Sequence, residues 1–223
     1  ISLNIPSCAK VGLVGRTGAG KSSLVLAILR LVELAGGKIT IDGLDISKIG
    51  LDDLRSVVAV IPQEPVLFSG SIRFNLDPFN QYRDSDIWNS LRRTHMDASV
   101  DSLGMIVEER GQNFSVGQRQ LICIARALLM RCKVILCDEA TAACDVTTDA
   151  HIQSTIREEF SDCTVITIAH RIHTILDSDY ILVLDKGEVA EWDSPSNLLA
   201  DTSSIFYSLV NSNEMEDEVD IKN

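Results

Sequence analysis

The sequence predicts an α/β fold: a mostly parallel sheet with crossover helices and a helical block inserted into it. Two observations carry this. Short apolar runs alternate along the chain with stretches of helical periodicity. One of those runs passes through a glycine-rich turn directly into a helical pattern. In order, Ile1–Ile5 alternates as a strand does, and Val11–Val14 is an apolar strand that leads through the glycines to a helix expected from Ser22 to Glu33. Lys38–Asp42 and Val57–Ile61 read as further strands, separated by turns at Gly43 and around Gly50. From Pro65 to Arg131 the pattern is mostly helical, with Ser85–Arg93 one candidate and Val116–Met130 the clearest. There Leu121, Ile124, Ala125, Leu128 and Leu129 share one face. Strands return at Lys133–Cys137, Thr164–Ile168 and Tyr180–Leu184, with helical stretches from Thr148 and from His170 between them. The expected organisation is one domain over residues 1–212 with a helical subdomain over about 65–131. An acidic tail, 213–223, holds five carboxylates against one lysine and is expected to be disordered.

Composition narrows the function classes. The 223 residues carry 20 basic and 32 acidic side chains, a net charge of −12. A chain so acidic has little basic surface to spare for nucleic acid, although a few local groups suffice for a nucleotide. Hydrophobic residues, 45% of the chain, supply a core. The six cysteines are scattered, form no CxxC and mostly sit beside apolar neighbours, which reads as reduced core thiols of a cytosolic protein. The best apolar stretch, Leu24–Ala35, is interrupted by Arg30 and Glu33 and falls short of the roughly 18 residues a membrane span needs. The chain begins on Ile1 rather than Met and is expected to be an excerpt of a longer one.

Three motifs carry chemistry. Gly15-Arg16-Thr17-Gly18-Ala19-Gly20-Lys21-Ser22, followed by Ser23, fits GxxxxGK[ST] with a strand before it and a helix after it. Its glycines let successive N–H groups turn inward around a polyphosphate, at the positive end of the helix dipole. Lys21 reaches the β/γ-phosphates and the Ser22 hydroxyl ligates Mg²⁺. Second, Val134–Cys137 leads to Asp138 and Glu139 at a strand's C-terminal end, where parallel sheets place ligands. Asp138 would hold Mg²⁺ and Glu139 would polarise the attacking water. Such carboxylates also cap helices, and the pairing with the first motif is what points to a nucleoside triphosphatase. Third, Phe114-Ser115-Val116-Gly117-Gln118 opens the clearest helix, offering a hydroxyl and N–H groups at a helix N-terminus. Ser115 also suits an N-cap.

At this third motif the sequence resembles the ATP-binding cassette family, whose LSGGQ signature it matches at three of five positions. The resemblance covers essentially all of the chain except the acidic tail. It implies an ABC-type ATPase fold with an antiparallel β subdomain beside the parallel core sheet and the inserted helical subdomain. Gln63 matches the Q-loop glutamine that touches Mg²⁺ and the lytic water. Ala142–Asp145 matches the D-loop, with Cys144 where an aliphatic residue is usual, and His170 matches the switch histidine that contacts the γ-phosphate. By that resemblance Lys21, Ser22, Gln63, Asp138, Glu139 and His170 act on ATP in cis, while Ser115, Gly117 and Gln118 serve the ATP of a partner domain. Asn75–Phe79, Ser115–Leu121 and Asp138–Ala143 look like the second nucleotide-binding domain of C-subfamily, multidrug-resistance-associated transporters.

The resemblance further implies an ATPase powering export, working as a head-to-tail nucleotide-sandwich dimer. Its partners would be the other nucleotide-binding domain, in the same polypeptide, and transmembrane domains, at the cytosolic face of a membrane; in isolation the chain could form a homodimer instead. The alternative is an ATP-sensing gating module with little turnover. One family element is unmatched. The first aromatic residue is Phe68, so no ring precedes the glycine-rich loop to stack on adenine. By analogy with base–aromatic stacking, ATP affinity is expected to be roughly tenfold to hundredfold lower than with upstream residues restored.

Overall fold

The computed structural model describes residues 1–138, 146–169 and 171–220, leaving aside the side chains of 146, 147, 173 and 213–220. It divides into two compact units, Ile1–Val58 with Thr164–Asn223, and Ala59–Cys163. In chain order the elements are β1 (Lys10–Val14), α1 (Lys21–Ile28), β2 (Thr40–Ile41), β3 (Leu44–Asp45), α2 (Leu51–Val57) and β4 (Val58–Ile61). Then come β5 (Gly70–Ser71), α3 (Ile72–Leu76), α4 (Asp84–Arg93), β6 (Ile106–Val107), α5 (Val116–Met130), β7 (Val134–Asp138) and α6 (Val146–Glu159). Last are β8 (Thr164–Ile168), β9 (Tyr180–Asp185), β10 (Glu188–Asp193), α7 (Pro195–Ala200) and α8 (Ile205–Asp220).

In the first unit four strands lie in the order β10-β9-β1-β8. β1 runs parallel to β8, with Val11 opposite Ile166, and parallel to β9, with Val11 opposite Tyr180. β10 closes the edge antiparallel to β9 with a bulge between Val189 and Glu191. A central parallel strand is covered on both faces, which is why β1 is a continuous apolar run rather than an alternating one. Val14, Ile175, Ile181, Val183, Leu198 and the fully buried Phe206 form a core on this sheet. Phe206 is held there by Glu191, whose carboxylate accepts from the N–H groups of Ile205 (2.6 Å) and Phe206 (3.0 Å) and from the Ser204 hydroxyl (3.0 Å). A carboxylate thus caps the α8 N-terminus from another element. The short β2–β3 pair is antiparallel.

Three expectations are corrected in this unit. Ile1–Ile5 forms no strand: a strand needs a neighbour to take its N–H and C=O groups, and no pairing reaches this segment among the described residues. The first helix ends at Ile28, short of Glu33. Arg30 adopts left-handed φ of 48°, its N–H returning to the Ala27 carbonyl and that of Leu31 to Leu26, a Schellman stop. Its guanidinium donates to the carbonyls of Ile46 (2.8 Å) and Ile49 (2.9 Å), which pins the chain where periodicity alone would have continued. After residue 170 the helical reading reduces to one 3₁₀ turn, Ile172–Ile175. The helix α8 extends to Asp220, into the segment read as an acidic tail.

The second unit holds β4 beside β7, the antiparallel β5–β6 pair, and helices α3 to α6. α5 buries ten of its fifteen residues and has the bounds its periodicity predicts. Arg126 on α5 organises the chain between β4 and α3. It donates from Nε to the Asn75 carbonyl, from one terminal nitrogen to the Val66 carbonyl (2.9 Å) and from the other to Asn75 Oδ1 (3.0 Å). Asn75, itself buried, donates back to the Phe68 carbonyl (2.8 Å) and accepts from the Phe68 N–H (2.8 Å). Every member of this network has a partner, which is the condition for a buried polar cluster to specify one conformation.

Candidate functional site

The glycine-rich loop between β1 and α1 has the build of an anion cradle. Gly15, Gly18 and Gly20 all have positive φ, 151°, 82° and 105°. A Cβ on Gly15 would lie 2.3 Å from the Leu184 carbonyl oxygen, so this residue must be glycine for the loop to sit on β9. The N–H of Gly187, beyond β9, donates to the Ala19 carbonyl (3.0 Å) and secures the loop's far side. Lys21 folds its ammonium back over the loop, donating to the carbonyls of Gly15 (2.6 Å) and Arg16 (3.4 Å). Burial pushes the Lys21 pKa down, because the charged form has lost part of its water. Gly20 is the N-cap of α1 and supplies no side-chain cap, and no acidic residue stands in the first turn. The first-turn N–H groups at Lys21, Ser22 and Ser23 are therefore left for a ligand, with the helix dipole behind them. Arg16, Thr17, Gly18, Ser22 and Ser23 are exposed. A polyphosphate fits this donor set, and an ammonium short of water gains from its negative charge.

Gln63, Asp138 and the Ser115–Gln118 turn belong to the second unit. Asp138 ends β7, half-buried, after Ile135, Leu136 and Cys137 have been taken into the core. Gln63 is exposed just beyond β4. Glu139, the 142–145 segment and His170 lie outside the described residues. Ser115 is the N-cap of α5: its hydroxyl accepts from the Gln118 N–H (3.1 Å), and Gln118 Oε1 accepts from the Ser115 N–H (3.0 Å). This reciprocal capping box satisfies two end groups of α5 and holds the Phe-Ser-Val-Gly-Gln turn in one shape. Gly117 is buried because α6 lies against it; a Cβ there would meet Thr148 Cγ2 at 2.3 Å.

Sequence reasoning missed the residues that hold these motifs. Ser99 Oγ accepts from Gln118 Nε2 (3.2 Å), and Thr148 forms the wall against Gly117. Gln120, 1% exposed, donates to the Pro62 carbonyl (3.0 Å), directly before Gln63. The one available signal was Gln120 itself, a polar residue beside Leu121 on the face destined for burial.

The ABC transporter family model matches residues 1–142. The chain belongs to the ABC transporter family. The subfamily resemblance holds as well. The chain is 54% identical over 99% of its length to "ABC transporter C family member 8" of Dictyostelium discoideum, and 55% identical over 92% to "ATP-binding cassette sub-family C member 2" of Rattus norvegicus. It is a nucleotide-binding domain of the C-subfamily type and spans 14% of the length of these curated relatives. Among solved structures, "Structure of a bacterial Atm1-family ABC exporter with ATP bound" superposes with a TM-score of 0.84 at 34% identity. That match covers 93% of this chain and 37% of the other. The α/β class of this ABC domain, with a mostly parallel core sheet and separate antiparallel pairs, is as expected. No helix among the described residues is long and apolar enough to cross a membrane.

Proposed function

We propose that this domain binds and hydrolyses Mg-ATP to power export by a full-length transporter, of which it is the second nucleotide-binding domain. The observation that carries the reading is the cradle at residues 15–23: glycines in positive φ, an uncapped helix start, and a lysine drawn over it. Backbone N–H groups of Gly18 to Ser23 would bind the phosphates, and Lys21 would move from the Gly15 carbonyl to their β/γ oxygens. Mg²⁺, held by the Ser22 hydroxyl with Gln63 and Asp138, would neutralise charge on the phosphates. Glu139 would accept the proton of the attacking water and His170 would contact the γ-phosphate.

Ser115, Gly117 and Gln118 would not act on this ATP. The capping box holds the exposed Ser115 at a helix N-terminus, which would suit the γ-phosphate held by a partner domain in a head-to-tail sandwich. In the whole protein that partner would be the preceding nucleotide-binding domain, with membrane domains alongside and this domain at their cytosolic face. The test is phosphate release at saturating Mg-ATP against chain concentration, with Glu139→Gln alongside. Release should rise as the square of concentration, and Glu139→Gln should lower it by roughly 10²-fold or more while ATP still binds. ATP-dependent dimerisation without release, even after the partner domain is added, would favour the gating module instead.

A further inference from the structure

The described histidines include one close pair that the proposed chemistry does not use. His95 and His151 have ring centroids 5.2 Å apart and planes inclined at 43°. Both rings are exposed, so an ion has access. Their backbones are firmly placed. His95 follows the C-cap of α4 in left-handed φ of 56°, inside a Schellman stop in which the Met96 N–H returns to the Leu91 carbonyl (2.8 Å) and its own to Arg92 (3.0 Å). His151 stands within α6.

The separation matches that of two imidazoles on one metal ion. A zinc–nitrogen bond of about 2.0–2.1 Å plus about 1.1 Å from nitrogen to ring centre puts each centroid about 3.2 Å from the ion. Two such ligands at a tetrahedral angle have centroids about 5.2 Å apart. No group of three or more His, Cys, Asp or Glu is placed to hold a metal among the described residues, so water would fill the remaining positions.

The two histidines stand on the two elements that support the signature turn. Ser99, four residues beyond His95, takes the hydrogen bond from Gln118 Nε2. Thr148, one helical turn before His151, packs against Gly117. We propose that His95 and His151 form a two-imidazole site for zinc, and that the bound ion clamps these two supports together. The site stands apart from the proposed ATP chemistry and does not depend on it.

The test is calorimetric titration of the full chain with ZnCl₂ in metal-free buffer. It compares wild type with His95→Asn, which tolerates the left-handed backbone, and with His151→Gln, which keeps the helix. Circular dichroism verifies that each variant is folded. Closing a chelate makes the second bond intramolecular, so either substitution should weaken the zinc event roughly tenfold to hundredfold, and the two together should abolish it. With Cu²⁺ as the probe, electron paramagnetic resonance should show coupling to two nitrogens in wild type and to one in each variant. Zinc affinity unchanged by either substitution, or lowered by one alone, would overturn the site. Zinc should also slow amide exchange over 95–99 and 146–151; binding through both histidines without that protection would overturn the clamp.

Discussion

Gly117→Ala tests whether α6 sets the identity of the signature glycine. The new methyl would sit 2.3 Å from Thr148 Cγ2, where carbon atoms at contact lie about 3.5–4.0 Å apart. Thr148 has a short β-branched side chain on a helix, so it relieves the overlap only by leaving its rotamer or moving α6. Overpacking of this kind costs about 1–3 kcal/mol, against a helix-propensity gain for alanine of about 1 kcal/mol. Gly117→Ala should therefore lower unfolding stability by about 1 kcal/mol. Thr148→Ser deletes the offending methyl and leaves the next atoms, Cβ and the hydroxyl oxygen, at 3.7 and 3.9 Å, ordinary contact distances. In that background Gly117→Ala should be neutral or stabilising, a coupling of about 1–3 kcal/mol in the double-mutant cycle. Urea denaturation followed by circular dichroism, with constant m-values, reads all four proteins. An equal cost in both backgrounds would refute the steric account and leave the glycine to be explained by something other than α6.

Three further perturbations test other parts of the molecule. Gly15→Ala meets the Leu184 carbonyl at 2.3 Å in a left-handed backbone and should cost about 2–4 kcal/mol and abolish binding of a fluorescent ATP analogue. Gly18→Ala meets no atom within 4 Å and should cost only backbone strain of about 1–2 kcal/mol; equal effects at both positions would refute the distinction. Burial pushes the Cys132 thiol from the ordinary 9.0 up to about 12, so at pH 8.5 mass spectrometry should find iodoacetamide on exposed Cys8 and not on Cys132. The native state then holds the extra proton between those two values. This contribution to stability is whole below pH 9 and is lost as pH rises toward 12. Arg126→Leu takes the guanidinium from the carbonyls of Asn75 and Val66 and removes one of the two donors to Asn75 Oδ1. A fall in stability of about 3–5 kcal/mol is expected, with Arg126→Lys restoring only part because one ammonium cannot replace the planar fork.

Much of this architecture was legible in the sequence. The strand–glycine–lysine–helix succession and the apolar face of Val116–Met130 are local patterns, since backbone preference and hydrophobic period act within one or two turns. The same holds for the strand at Tyr180–Asp185, in which Ile181–Leu184 is a continuous apolar run. Ser115 and Gln118 likewise sit three residues apart, within reach of one another in any helix start.

Other features were decided by tertiary contact alone. The stop of α1 depends on Arg30 reaching carbonyls 16 and 19 residues ahead, and Ile1–Ile5 lacks a neighbouring strand although its residues alternate. Gly117 meets its constraint in Thr148, Pro62 is held by Gln120 from 58 residues away, and His95 meets His151 only because the loop after α4 packs on α6. Local periodicity commits each segment to strand or helix. Which distant side chain then fills a gap, takes a carbonyl or faces a ring depends on how the segments pack, and no spacing within a segment encodes that.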